Sequence, residues 1–410
     1  MKAGHAAVPL DVPVGTPLGG YAGRAGPSTG TLDALTVAAV SIESGGTRFV
    51  WVVADLPYVH EDLATEVAAT MPDAVVWVSA SHTHAGPETS CLPSAPITPA
   101  PWRKAVTEAA TRAMAAAVSA ERDALLELRR CRLTGVGGQR SGARPRRTVP
   151  VDTLSFTDRS GALLGAVVVL PVHPTVLGAD NLCVSADLTG ATRRAWSDIE
   201  PGAWVVVATG AAGDVSTRAH RLAQTPAECD RLGTIVAETV VRGLRRPARA
   251  LVTAQAAIGE RRLRVPLEAK PPPASPALIG ELESRLARAA GPVARRTAWT
   301  ALQAARLAAE SPAPAVDPAC VVSAVRIGPV SLVALGAEPY LALGERLDRA
   351  ADHPTVLIGY TNGYLGYLPI HAAYRRADYE VLRSPVVAGS AEIVLDQAAA
   401  LALANRKDRP

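Results

Sequence analysis

Aromatic residues are scarce in this chain of 410 residues, which has two phenylalanines, six tryptophans and eight tyrosines. Aromatic side chains supply large apolar contact surfaces and stack on nucleic-acid bases. The dense basic run from Arg144 to Arg147 contains no aromatic residue, and 42 basic against 38 acidic residues leave a net charge of only +4. The composition therefore favours neither a nucleic-acid partner nor an aromatic lipid groove.

Cysteines and long apolar runs are also few. The five cysteines lie far apart, form no C-x-x-C pair and are odd in number, which argues against a disulfide framework and for a reducing compartment. No run reaches 18 apolar residues, and Met1–His5 does not lead into the apolar segment of a signal peptide. We therefore expect a cytoplasmic protein without stable membrane insertion.

The chain is nonetheless rich enough in apolar residues for a large core, with 48% hydrophobic and 20% charged residues. Short β-type runs alternate with alanine-rich helical runs, which predicts an α/β (α+β) fold of mixed β-sheets flanked by helices. We expect a single domain over residues 1–410. Proline-rich stretches flank an Ala/Arg/Leu segment, which predicts a helical insertion over residues 270–315, broken at Gly291-Pro292.

The sequence pattern assigns most of the chain to helices or strands, and Ser185 or Asp187 is expected to cap the helix over 188–199. The predicted strands are 36–43, 49–56, 74–79, 124–135, 152–157, 164–172, 203–208, 250–266, 320–327, 331–335 and 355–359. The predicted helices are 59–70, 102–121, 188–199, 225–242 and 277–310, one from residue 339 and one at the end of the chain.

Two of the eight histidines follow directly on an apolar strand. The segment Ser81-His82-Thr83-His84-Ala85-Gly86-Pro87 comes after the run 74–78. Because side chains of a strand alternate between its faces, His82 and His84 are expected to leave the strand end pointing the same way. Such a pair suits a metal site or an acid/base pair, and a satisfied structural pair is the alternative.

Four further segments place polar groups after apolar strands or in loops, and each also has a purely structural interpretation. His173 ends the run 166–172, Glu338 follows 332–335, and Ser216 lies in a Gly/Ala-rich turn after 204–208. Five of the eight tyrosines fall between residues 360 and 379. Zinc takes three or four nitrogen, oxygen or sulfur ligands, and His82, His173 and Glu338 would supply such a set from three strand ends.

Together these segments resemble the catalytic domain of the neutral (alkaline, non-lysosomal) ceramidases, zinc-dependent amidases that cleave an N-acyl bond. The resemblance extends from Leu18-Gly19-Gly20-Tyr21-Ala22 to the tyrosine-rich loop. The matching segments, in the family's order, are 81–87, Gln139-Arg140-Ser141, His173-Pro174-Thr175 with Ser185-Ala186-Asp187, Gly213-Asp214-Val215-Ser216, Gly336-Ala337-Glu338 and 364–379.

The resemblance implies a role for each matching residue. The implied Zn²⁺ ligands are His82, His173, Glu338 and a tyrosine, which we place at Tyr367, with Tyr364 as the alternative. Ser216 is implied as the catalytic serine and His84 as the proton-transfer partner. Arg140 and Tyr379 are expected to line the site and hold polar groups of the substrate. Attack by Ser216 and direct attack by a metal-activated water, with Ser216 orienting the carbonyl, both stay open.

The sequence also departs from the family's pattern. Thr217-Arg218 stand where the family usually has Pro-Asn after the serine, and Glu88-Thr89-Ser90 replace glycines after Gly86-Pro87. We expect neither a signal peptide nor the family's C-terminal β-sandwich domain. These departures favour hydrolysis of a smaller N-acyl or ester substrate, with Arg140 and nearby arginines suiting an acidic group on it. The alternatives are ceramide hydrolysis proper, an acyltransferase or amide-forming or cyclising enzyme, a metal-free serine hydrolase, and an inactive binding relative.

Overall fold

The computed structural model describes residues 1–21, 23–90, 97–142, 144–252, 256–271, 275–310 and 317–404. Within these residues the strands are β1 (Lys2–Leu10), β2 (Gly30–Thr31), β3 (Leu35–Ser44), β4 (Thr47–Ala54), β5 (Val75–Ala80), β6 (Arg122–Asp123), β7 (Leu125–Thr134), β8 (Gly138–Gln139), β9 (Thr148–Thr157), β10 (Leu163–Leu170), β11 (Cys183–Val184), β12 (Trp204–Thr209), β13 (Val215–Ser216), β14 (Ala250–Val252), β15 (Ile258–Pro266), β16 (Ala319–Ile327), β17 (Val330–Leu335), β18 (Glu338–Pro339), β19 (Thr355–Ile358) and β20 (Tyr367–Leu368).

The helices are α1 (Glu61–Ala69), α2 (Ala100–Ser119), α3 (Asp187–Ile199), α4 (Pro226–Leu244), α5 (Pro276–Ala287), α6 (Pro292–Glu310), α7 (Leu341–Ala350), α8 (Tyr379–Arg383) and α9 (Ser390–Ala404), with 3₁₀ turns at Thr217–Ala219 and His371–Arg375. None of the helices within the described ranges has the length and apolar content that crossing a membrane requires. The four cysteines that the structure describes are free thiols.

Three mixed sheets are built on a common plan. Their strand orders are β5-β4-β3-β1-β6, β12-β10-β9-β7-β14 and β15-β16-β17-β19. Each sheet contains antiparallel neighbours and one parallel pair, namely β4 with β5, β10 with β12, and β17 with β19. The connection within each parallel pair contains a helix, α1, α3 or α7. A parallel pair needs such a crossover, and its two carboxyl ends lie at the same sheet edge.

The main core lies between the three sheets and is closed by helices on the outer faces. Large side chains such as Trp51, Trp77 and Phe156 fill the shared interior together with aliphatic residues of β10, β16, β17 and β19. Helices α1 and α2 cover the first sheet, α3 and α4 the second, and α7 and α9 the third. This arrangement confirms the predicted fold class of mixed sheets flanked by helices.

The helical segment predicted within 270–315 contains α5 and α6, and Gly291 between them has a φ of 80°. Leu282 of α5 and Leu302 of α6 form a small apolar cluster with Leu382 of α8. The two helices therefore pack against the segment that follows the tyrosine-rich loop. Pro272, Pro273 and 311–316 lie outside the described residues, and the domain boundaries stay a prediction.

Two local predictions differ from the structure. The strand β1 was not predicted, because Lys2–Leu10 is rich in alanine and also contains a glycine and a proline; it forms through antiparallel pairing with β3 along its whole length. The N-cap position of α3 is Ala186, so the predicted N-cap residue is wrong, but Ser185 and Asp187 do accept hydrogen bonds from the first two N–H groups of the helix, at 2.9 and 2.6 Å. Asp187 has a φ of 52° and also accepts hydrogen bonds from the backbone N–H groups of residues 176 and 177.

Candidate metal centre and active site

The carboxyl ends of the parallel strands bring the polar segments together. Isolated bridges join Ser79 at the end of β5 to Thr361 after β19, and Gly210 after β12 to Ile358 of β19. A third bridge joins His173, after β10, to Ser216. The edges of the three sheets therefore converge, and their loops meet at one place.

His82 and His84 converge, but not for the reason that strand geometry suggested. The strand β5 ends at Ala80, and His82 has a φ of 64°, a left-handed conformation that is strained for a residue with a Cβ. A hydrogen bond from the His82 N–H to the Leu56 carbonyl at 2.9 Å holds this turn. The prediction of a shared strand face is wrong, yet the Nε2 atoms of the two imidazoles lie 3.2 Å apart.

Four predicted ligand groups lie close together. The Glu338 Oε2 lies 3.1 Å from the Nε2 of His173 and 3.6 Å from the Nε2 of His82. The Tyr367 hydroxyl lies 3.5 Å from the same Nε2 of His173. Ligand atoms that are about 2.0–2.2 Å from a tetrahedral zinc ion lie about 3.3–3.6 Å from one another. These spacings and donor types fit a small divalent metal ion.

The rings of His82 and His173 are held in the orientation that a metal ligand needs. The Nδ1 of His82 faces the carbonyl oxygen of Pro57 at 2.8 Å. The Nδ1 of His173 faces the carbonyl oxygens of Ala212 and Val215 at 2.7 and 3.0 Å. A carbonyl oxygen only accepts, so each Nδ1 carries the proton and each Nε2 presents a lone pair toward Glu338.

Burial keeps these imidazoles neutral, which is the form that binds metal. Burial lowers the pKa of His82 to about 3, although Glu338 acts in the opposite direction. Burial and the charge of Arg140 lower the pKa of His173 well below its ordinary value. Neutral imidazole nitrogens need not lose a proton before a metal binds.

His84 has a different environment. It offers a third imidazole nitrogen, since the candidate ligand atoms of His82, His84 and His173 all lie within 4.8 Å of one another. Its buried Nδ1, however, has no hydrogen-bond partner within the described protein. Its ring packs edge-on against Tyr21, with 4.8 Å between centroids. No backbone carbonyl therefore fixes the tautomer of His84.

Gly20 makes room for the His84 ring. A Cβ on Gly20 would lie 2.4 Å from the Cγ of His84, and the backbone there has a φ of 89°. Both the close approach and the left-handed conformation require glycine. The Gly-Gly-Tyr segment near the N-terminus therefore shapes the site from about 60 residues away in the chain.

The tyrosine-rich loop surrounds the Glu338 carboxylate. Strand β18, which begins at Glu338, pairs in parallel with β20, which begins at Tyr367, and this pairing sets the two residues side by side. The Tyr364 hydroxyl donates to Glu338 Oε1 at 2.6 Å, while Tyr367 faces His173. Sequence reasoning missed Tyr360, which stacks on His82 with centroids 4.1 Å apart. The tyrosine cluster was its only sequence signal.

Arg140 and Tyr379 lie beside Tyr367. The Arg140 guanidinium forms a buried ion pair with Glu380 at 2.6 Å and donates to the Tyr367 hydroxyl at 3.0 Å and the Gly213 carbonyl at 3.0 Å. The Tyr379 ring packs edge-on against Tyr367 with centroids 5.7 Å apart. The predicted contacts of these two residues with substrate stay predictions, and Glu380 is a site neighbour that the sequence did not reveal.

The backbone of Ser216 lies beside that of His173, to which an isolated β-bridge joins it. Ser216 ends β13, which pairs with β8, and its buried Oγ accepts a hydrogen bond from the Arg218 N–H at 3.4 Å. The carboxylate of Asp214 accepts a hydrogen bond from Gln139 at 2.7 Å and holds the turn before the serine. Burial raises the pKa of Asp214 to about 6. The Asp214 carboxylate is therefore occupied by a protein hydrogen bond and positions the turn that carries Ser216.

A cavity of about 110 Å³ opens beside these groups. Its lining combines the predicted site residues with side chains of the N-terminal segment and of the helices α6 and α8. The lining residues include Tyr21, Tyr58, His84, Glu338, Tyr364, Tyr367, Tyr379, Leu307 and Arg383. A small molecule entering it would meet the candidate metal centre directly.

The solved structures that match this chain include two that cover the whole of it. One, described as "Ceramidase complexed with C2", has a TM-score of 0.78 at 18% identity, with 100% of this chain and 76% of that chain covered. The other, neutral ceramidase from Pseudomonas aeruginosa, has the same TM-score at 19% identity, with 100% and 75% covered. The chain has the neutral ceramidase fold. No family model and no curated protein sequence matches it, so the ceramidase resemblance of the motifs is confirmed at the level of the fold.

Proposed function

We propose that this protein is a zinc-dependent hydrolase that cleaves the N-acyl (amide) bond of a small substrate. The observation that carries the proposal is the cluster of two neutral imidazoles, a carboxylate and a phenol at one cavity of a ceramidase fold. The proposed ligands are His82, His173, Glu338 and Tyr367; Glu338 lies 3.1 Å from His173 and 3.6 Å from His82, and Tyr367 lies 3.5 Å from His173. A zinc ion there supplies Lewis-acid polarisation of the scissile carbonyl.

The remaining residues carry out the proton transfer and hold the substrate. His84 accepts the proton of the attacking group and returns it to the leaving amine, because its Nδ1 has no hydrogen-bond partner among the described residues. Ser216 is the nucleophile or orients the carbonyl for attack by water. The Tyr379 hydroxyl donates a hydrogen bond to the developing oxyanion, and Arg140 keeps the Tyr367 phenol in place.

Ceramide hydrolysis is the second candidate, and the fold favours it. The scarcity of phenylalanine favours a smaller N-acyl substrate over a two-chain lipid. A substrate panel decides between them: short N-acyl amines and N-acyl amino acids on one side, and short- and long-chain ceramides on the other. Turnover confined to the ceramides would make ceramide the substrate class.

The proposal is tested by metal analysis together with hydrolysis of this panel by the wild type, His82→Ala and Ser216→Ala. His371→Ala is the matched control, because His371 is exposed and lies outside the site. We expect His82→Ala to lose both metal and activity, and Ser216→Ala to keep metal and lose activity. Full metal content and activity in His82→Ala would refute the assignment.

A further inference from the structure

Three arginines lie together beside the proposed active site. Arg218 belongs to the 3₁₀ turn that follows Ser216, and its N–H contacts the serine Oγ at 3.4 Å. Arg221 comes one turn later, and its guanidinium donates to the Thr175 carbonyl. Arg296 lies on α6, and its guanidinium is 4.6 Å from the Trp299 ring centroid. We call Arg218, Arg221 and Arg296 the arginine cluster.

The arginine cluster has no ion-pair partner within the described residues, although the more distant charge of Asp187 acts on Arg221. None of the three guanidiniums has a carboxylate within ion-pair distance there, whereas Arg140 is paired with Glu380 at 2.6 Å. Arg218 is surrounded by the positive charges of Arg140, Arg296 and Arg221, and the nearby Glu380 is the carboxylate already paired with Arg140. Gathering like charges away from water is unfavourable unless an anion accompanies them.

Two further observations point to a missing anionic partner. Burial and the neighbouring arginines lower the pKa of Arg218 to about 10, which reflects how poorly its charge is stabilised. The Nε of Arg296 is buried and has no hydrogen-bond partner among the described residues. A guanidinium Nε–H normally forms half of a bidentate contact with a carboxylate or phosphate.

Tyr21 connects the arginine cluster to the cavity. The charges of Arg221, Arg218 and Arg296 all act on the Tyr21 phenol. The same tyrosine lines the cavity, and its ring contacts His84 with 4.8 Å between centroids. The cluster therefore lies on the Tyr21 side of the cavity, behind the side chains that line it, and a ligand that meets His84 would have to extend past Tyr21 to contact it.

We propose that the arginine cluster is a binding site for an anionic oxygen group, a carboxylate or phosphate, carried by the substrate. The natural substrate class is then an N-acylated amino acid or an N-acyl amine with a phosphate, rather than a neutral amide. This inference rests on the proposed function for the bond that is cleaved, and it concerns binding by residues that are not metal ligands.

Calorimetric binding with three probes tests the inference: N-octanoylglycine, O-phosphoryl-N-octanoylethanolamine and the neutral N-octanoylglycinamide. The proteins are the metal-loaded wild type, Arg218→Gln, Arg296→Gln and Arg112→Gln, the last a control at an exposed position of α2 with the same charge change. We expect the wild type and the control to bind one anionic probe at least about 10-fold more tightly than the neutral probe. Whether carboxylate or phosphate is preferred identifies the group.

We expect Arg218→Gln and Arg296→Gln to lose most of that preference while binding the neutral probe within about twofold of the wild type. Equal wild-type affinity for all three probes would overturn the inference. An anion preference that persists in both variants would also overturn it, because the anion would then bind elsewhere, for example at the metal centre. Hydrolysis of each probe is measured separately, so that tight anion binding without turnover of any probe rejects the proposed hydrolase and leaves the anion site standing.

Discussion

His82 and His173 differ from His84 in how the fold holds their rings. The first two have Nδ1 atoms fixed by backbone carbonyls at 2.8 and 2.7 Å, whereas the buried Nδ1 of His84 has no partner within the described protein. All three rings are buried and have lowered pKa values. All three imidazoles lie close together, so distance alone does not distinguish them. The hydrogen bond from Nδ1 to a backbone carbonyl distinguishes the two proposed metal ligands from His84, the proposed proton carrier.

Removing an anchored ring is expected to have the largest effect. His173→Ala deletes a proposed ligand, so metal affinity falls by more than about 100-fold, since altering even an outer partner of a ligand costs about 10–100-fold. Hydrolysis then drops to the level of the metal-free protein. Metal content by elemental analysis and activity on the N-acyl panel measure both effects, and unchanged metal content would contradict the ligand role.

Replacing His84 is expected to separate metal binding from catalysis. His84→Gln leaves the proposed ligand set intact, so the protein keeps its metal, while hydrolysis falls by about 10²–10⁴-fold through loss of proton transfer. Steady-state kinetics with the metal-loaded variant measure the loss. A variant as active as the wild type would show that His84 carries no proton in the reaction.

Loss of the proposed oxyanion donor is expected to be somewhat milder. Tyr379→Phe keeps the ring that packs on Tyr367 but removes the hydroxyl. We expect kcat to fall by about 10²–10³-fold with little change in KM, because the hydroxyl acts mainly in the transition state. An effect confined to KM would assign Tyr379 to ground-state binding instead.

Crowding the His84 imidazole is expected to have the smallest effect on kcat. Gly20→Ala places a Cβ 2.4 Å from the His84 ring at a φ of 89°. The displaced imidazole is expected to lower kcat by about 10–100-fold, because small misplacements of a catalytic group are costly. Metal content stays stoichiometric. Gly23→Ala is the control, because a Cβ there would meet no atom within 4 Å. Equal activity of the two variants would show that Gly20 does not position His84.

Much of the site could be predicted because its residues directly follow apolar strands. His173, Glu338 and Ser216 each come shortly after a buried strand of a parallel pair, and such strand ends meet at sheet edges. The α/β class and most elements were predicted for the same reason. The motif order of the ceramidase resemblance then joined segments that lie far apart in the chain, from 81–87 to 364–379.

The rest depended on contacts that no local pattern encodes. The positive φ of His82 arises from hydrogen bonding to the loop after β4, and β1 forms only against β3. Only the tertiary structure brings Tyr21 into contact with His84 and places its phenol in the field of the arginine cluster. Single histidines and tyrosines indicate candidates, whereas the fold decides which ring is anchored.

The most direct test of the central claim is a zinc titration by calorimetry of the metal-free wild type, His82→Gln, His173→Gln and His84→Gln. We expect one tight site in the wild type, retained in His84→Gln and lost in both other variants. Equal loss in all three would contradict the account, because the metal would then be held by a three-histidine site in which His84 is a ligand.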